Sequence, residues 1–203
     1  MTRSRVIPKQ EQGVSTDTVS KIKLDTVDEA LWDFEIVKDR LLDVSHWHEL
    51  SGEILARFQL IDEEGNMLYR RAREGDYLRI NIPGPGNKDG EGYDWVRIEL
   101  IEFTENEAES FEYVAMTVRP CPSPLNNEKA TAHFFKNIAT STFLVKRKYN
   151  VISAEVHGRN EKVNTGSESI SSQIRNFVVG IGAILGFSKV QWKSLVDGLI
   201  KLN

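Results

Sequence analysis

The chain has 203 residues, 40% of them hydrophobic, and a formal net charge of -4; that is enough for one substantial core, with no composition break that calls for a second domain. A pI near 5.7 excludes broad binding to phosphate backbones, so no nucleic-acid partner is expected. The lone cysteine, Cys121 between Pro120 and Pro122, excludes an internal disulfide and gives no metal-ligand spacing.

Residues 1–16 carry early positive charges but lack the apolar centre of a signal peptide. They are expected to form a flexible lead-in, with residues 17–203 a single cytoplasmic domain. Val19 to Asp25 alternates and reads as a first strand. Thr26 followed three residues later by Glu29 fits a capping box, and Ala30, Leu31 and Phe34 supply an apolar helix face. A second short helical piece spans about Val37 to Val44, and Ser45 to Ser51 closes the excursion with His46 and His48 around Trp47. From Glu53 the period becomes two. Ile54, Ala56, Phe58 and Leu60 share a face, and a turn at 62–66 returns the chain as a strand from Met67 to Ala72.

Further strands are predicted at Tyr77 to Ile82, Tyr93 to Phe103, Phe111 to Val118, Thr140 to Lys148 and Val151 to Gly158, with an irregular insertion from Arg119 to Asn137. Their inward sets include Leu78, Ile80, Ile82, Val96, Ile98, Leu100, Val114, Met116, Phe143, Val145, Ile152, Ala154 and Val156. Arg57, Arg79, Arg97, Glu99, Glu112, Lys146 and Glu155 are assigned to the opposite, solvated face. Ser167 to Leu185 carries Ile170, Ile174, Phe177, Val178, Ile181, Ile184 and Leu185 at helical spacing, a long helix able to cover the sheet. Its uncharged run falls short of the roughly 20 residues of a membrane span, so no span is expected. A further short helix follows from Ser188, with Trp192, Leu195, Val196, Leu199 and Ile200 as an apolar stripe.

Three stretches could carry chemistry. The run His157-Gly158-Arg159-Asn160-Glu161, with Asn164, is a polar rim at the start of the link to the long helix: Arg159 could clamp a carboxylate and Glu161 act as a base, or both could simply fix the corner. His133 in the insertion is a fourth polar candidate. The glycine-rich stretch 83–95 matches neither a dinucleotide fingerprint nor a P-loop; it is a hairpin loop or a lid. The spacing of His46 and His48 does not make a metal site. Neither metal nor cofactor is expected.

A first strand running into Thr26-Val27-Asp28-Glu29-Ala30-Leu31-Trp32-Asp33, Trp47 at the end of the helical excursion, then a strand meander and a terminal helix, resembles the START and Bet v 1-like helix-grip (SRPBCC-type) superfamily. The resemblance implies an α+β fold in which a curved antiparallel sheet of about seven strands wraps a long C-terminal helix, with two short helices after the first strand. It also implies a cavity for an apolar small molecule, lipid-like or aromatic. Members include lipid and hormone binders as well as polyketide aromatases and cyclases. The wall is expected from Phe58, Ile80, Ile98, Val114, Met116, Phe143 and Val156, together with Phe177 and Ile181 of the helix. The central inward positions hold no group that moves a proton, so binding is favoured over catalysis. The alternatives are a filled-core interaction module presenting the helix 188–203, a homodimer included, or an aromatase-type enzyme using Arg159 and Glu161.

Overall fold

The computed structural model describes residues 6–51, 56–82, 87–125, 130–164 and 189–202. Strand β1 (Val14–Lys23) is followed by helices α1 (Val27–Leu42) and α2 (Trp47–Ser51), then strands β2 (Arg57–Ile61), β3 (Tyr77–Asn81), β4 (Asp94–Asn106), β5 (Phe111–Pro120), β6 (Thr140–Lys148) and β7 (Val151–Glu161). A last helix, α3, spans 189–199. The strands form one antiparallel sheet in the order β1-β7-β6-β5-β4-β3-β2, so all but the first connect to a sequence neighbour and β1 closes onto the last. The fold is α+β helix-grip: a curved sheet with helices against its inner face.

Local rules explain the helices. The Thr26 hydroxyl accepts from the Glu29 N–H at 3.1 Å, and the Glu29 carboxylate reaches back to the N–H of Asp25, one residue before the cap, at 3.2 Å, so Thr26 caps the helix and α1 starts where the sequence places it. The two helical pieces expected before Val44 are one continuous helix, and the second helix is the short α2 carrying Trp47. The long helix predicted over 167–185, with Phe177 and Ile181, lies outside the described residues.

The core joins Phe34, Val37 and Leu41 of α1, Trp47 of α2, the inward residues of the sheet, and Leu195, Val196 and Leu199 of α3. This corrects the reading of the terminal stripe as a partner surface: Leu195 is 2% and Val196 0% exposed, because the inner face needs this helix as its own cover. The α3 helix is pinned on several sides. Arg40 Nη1 donates to Leu199 O and Lys201 O at 3.1 and 2.7 Å, Ser20 donates to Asp197, and Gly198 lies directly against the Leu50 carbonyl.

Five further expectations change. Met67 to Ala72 is not a strand; it meets β2 through the isolated Ile61–Met67 bridge, Leu68 N–H on Leu60 O and Gln59 Nε2 on Met67 Sδ. A bulge between Ile98 and Leu100 shifts the alternation of β4, so Leu100 faces out and Ile101 packs on the core. Glu112 lies opposite Arg147, on the same side as Val114 and Met116, and is buried with a 2.6 Å ion pair to Arg147 Nε. The far side of β5 to β7 is not a solvated surface: Tyr113, Ala115, Leu144 and Val6 form a second cluster, and Glu155 is buried there too. The chain before β1 supplies part of that cover. Glu11 and Gln12 N–H groups donate to Asn160 Oδ1 at 2.8 and 3.1 Å, so residues 6–12 are docked rather than a loose lead-in.

Candidate functional site

Among the described residues the inner face leaves a recess that α1, α2 and α3 do not fill, at the end of the sheet where β7 finishes. Its wall includes Phe58 of β2, Ile80 of β3, Val96 of β4, Phe143 of β6 and Trp192 of α3. Trp192 stands between two aromatic rings, 6.0 Å from Phe58 and 5.3 Å from Phe143 by ring centroids, and Trp47 backs both of those rings. The cavity proper is about 50 Å³, within about 640 Å³ of non-atom space that includes its solvent-facing mouth.

Four polar side chains break the apolar wall: His133, Ser141, Glu161 and Gln191. Glu161 gets there through a backbone irregularity. Val156 is inward, so strict alternation would turn Glu161 outward with His157 and Arg159. Asn160, however, sits at φ 56°, and the β1–β7 register shifts between Val14 and Thr16; this extra residue returns Glu161 to the inner side. There its carboxylate accepts from the Thr16 hydroxyl at 3.2 Å and lies over Gly158, where a Cβ would come within 2.2 Å of it. Burial raises the Glu161 carboxyl above the ordinary carboxylate range, against the opposing pull of Thr16 and Arg159.

His133 is a neutral group. Burial lowers its pKa to about 3, and Nδ1 accepts from the Phe135 N–H at 2.9 Å. With Nδ1 an acceptor, the neutral ring carries its proton on Nε2. The ring stacks on Phe134 with centroids 4.3 Å apart. Asp94, behind this loop, accepts from Asn87 Nδ2 at 3.2 Å and from the Phe134 N–H, and burial lifts its carboxyl to about 6.

The other rim candidates face away. His157 bridges Asp17 through Nδ1 at 2.5 Å and Glu155 through Nε2 at 2.8 Å on the opposite face. Arg159 also binds Asp17, at 2.8 Å. Of the predicted wall, Phe58, Ile80 and Phe143 line the cavity; Ile98, Val114, Met116 and Val156 are buried in the same core without lining it. Phe177 and Ile181 lie outside the described residues. The sequence reading missed Trp192, Gln191 and the Phe134-Phe135 pair as wall residues. The pair of phenylalanines beside His133 in a Pro-rich insertion was the available signal, since exposed loops seldom carry two.

The element order and strand order are those of the START and Bet v 1-like helix-grip fold. No protein-family model matches the chain, and no curated protein matches it. Among solved structures, the chain is similar to a hypothetical protein from Helicobacter pylori, with 13% identity over 97% of this chain and 93% of that one and a TM-score of 0.48. It is also similar to norcoclaurine synthase from Thalictrum flavum, at 12% identity, 98% and 96% coverage and a TM-score of 0.36. A START superfamily protein from Mycobacterium smegmatis aligns at 9% identity, 92% and 99% coverage and a TM-score of 0.38. Among the described residues no helix is long and apolar enough to cross a membrane.

Proposed function

We propose that the protein binds a small apolar or aromatic molecule in the recess between the sheet and α3, with the head group of that molecule hydrogen-bonded by Glu161 and His133. The observation that supports this is the arrangement of the wall: aromatic and aliphatic side chains on several sides, with a few convergent polar groups at one end, the composition expected of a ligand site. A raised Glu161 carboxyl beside a neutral His133 suits a hydroxyl or amine better than an anion. Size restricts the choice. Drug-sized ligands occupy pockets of about 300–1,000 Å³, so the present cavity of about 50 Å³ selects a ring-sized body that displaces Trp192, over a sterol. The protein would act in the cytoplasm as a carrier or sensor of that molecule.

A thermal-shift screen of phenols, aromatic amines, fatty acids and sterols, followed by native mass spectrometry, tests the proposal. Ring-sized phenols or amines are expected to raise the Tm and to co-migrate one per chain. Glu161→Gln is expected to weaken the response roughly tenfold, the share of one hydrogen bond to a charged or polar head. A chain that no compound stabilises, and that carries no co-purified molecule, would favour the filled-core reading, which the wedged Trp192 supports. An aromatase-type role needs Arg159 and Glu161 on one cavity, and only Glu161 lines it.

A further inference from the structure

β1 ends the sheet on one side, and the direction of its unused backbone groups can be assigned. Leu24 N–H donates to Asn150 O at 2.9 Å, and the same register continues through Lys23 and Val151 to Thr18 and Val156. Hydrogen-bonded and non-hydrogen-bonded pairs alternate along antiparallel strands. Thr18, Ser20 and Ile22 therefore bond to β7, while the N–H and C=O groups of Asp17, Val19, Lys21 and Lys23 point away from the sheet. All four of these residues are exposed. An edge of this length is a template for another strand unless something blocks it. Proline is absent from it, and no strand among the described residues covers it.

We infer that the occupant is a second copy of this chain, with the two β1 strands antiparallel about a two-fold axis at Val19. Only residues with outward backbone groups can pair across such a junction, which leaves few registers. Centring on Val19 places Val19 against Val19 and Asp17 against Lys21 of the second copy, twice by symmetry. Centring two positions further along sets Lys21 against Lys21, and sliding by half that step sets Asp17 against Lys23 but Val19 against Lys21. Charge excludes the Lys21-centred register, and the apolar Val19–Val19 contact beside the Asp17–Lys21 pairs selects the first over the half-step one. Asp17 is already held in place by His157 and Arg159, with its side chain 52% exposed, and Lys21 has no partner among the described residues. The junction would make one continuous sheet from two chains, with the exposed Val190 and the Lys193–Asp197 pair of α3 near the same edge.

Sedimentation equilibrium and light scattering of the full chain over a wide concentration range test this inference. The wild type is expected to show a concentration-dependent dimer that weakens with added salt. Lys21→Glu replaces two attractions by two repulsions and is expected to raise the dimer dissociation constant roughly tenfold. Val19→Pro removes an outward N–H that bonds nothing within the chain, so the fold tolerates it and the dimer should be lost, with circular dichroism unchanged. A monomer at all concentrations would overturn the inference, and so would a dimer indifferent to both substitutions. Neither result bears on ligand binding, because the recess lies on the inner face away from these residues.

Discussion

Asp94 and His157 give the fold two separate pH windows. The Asp94 carboxyl titrates near 6 in the folded chain against 3.8 unfolded, because burial outweighs the donors Asn87 and Phe134 N–H. A carboxyl with a raised folded pKa binds its proton more tightly when folded, so its own contribution to stability is complete below about 3.8 and is lost as pH rises through about 6, by about 3 kcal/mol. For His157, burial alone would lower the pKa, but the hydrogen bonds and charges of Glu155 and Asp17 win and raise it above 6.5. Its contribution is therefore complete below 6.5 and is lost as pH climbs through the folded value. Urea unfolding across pH separates the two: Asp94→Asn should flatten the decline between pH 4 and 6, and His157→Gln should flatten the decline at higher pH. An Asp94→Asn protein that keeps the full slope in the lower window would contradict the assignment. Burial pushes the Cys121 thiol up to about 12, which disfavours the thiolate near neutrality.

At the scale of elements, α3 is the piece on which the inner face depends. Gly198 shows how closely it docks: a Cβ there would lie 2.2 Å from the Leu50 carbonyl oxygen and 2.7 Å from its carbon. Backbone cannot move aside as a side chain can, so Gly198→Ala should cost about 1–3 kcal/mol despite the roughly 1 kcal/mol that alanine gains as a helix former. A lower Tm checks this, and an unchanged or raised Tm would mean that α3 sits further from α2. The same helix shows what was legible in the sequence. Its stripe of Leu195, Val196 and Leu199 is plain from periodicity, but periodicity says that a face is buried and not against what. The inward sets of β2, β3, β5 and β6 followed from alternation alone. Alternation failed at Leu100 because it follows a bulge, where one added residue exchanges the two faces; a second bulge does the same beyond the predicted end of β7, before Glu161. Only at Asn160 was there a hint, since asparagine tolerates the left-handed conformation better than most residues.

For the whole molecule, the unexpected feature is that the sheet is covered on both faces over β5 and β6. Tyr113, Ala115 and Leu144 look outward from β5 and β6 yet are buried with Val6. The chain reaches them from the Asn160 bulge, where Lys9 O and Gln10 Oε1 accept from Asn160, at 3.0 Å from Nδ2 and 2.9 Å from N, and Glu11 and Gln12 donate to Asn160 Oδ1. The bulge thus has two roles: it turns Glu161 into the recess and offers the amide that holds residues 9–12. Deleting residues 1–12 removes Val6 from its cluster, at about 1.5–3 kcal/mol for one buried aliphatic side chain, and four hydrogen bonds worth about 0.5–1.5 kcal/mol each. Ordering residues 6–12 costs conformational entropy that offsets much of this, so the expected net loss is about 1–3 kcal/mol with the fold retained. The truncated chain should bind a dye for exposed apolar surface through the uncovered Tyr113 and Leu144. Asn160→Gly keeps the left-handed turn but removes the amide, so it should release the N-terminal segment while leaving Glu161 in the recess. If Asn160→Gly and the truncation both leave stability and dye binding unchanged, then residues 6–12 do not cover this face in solution.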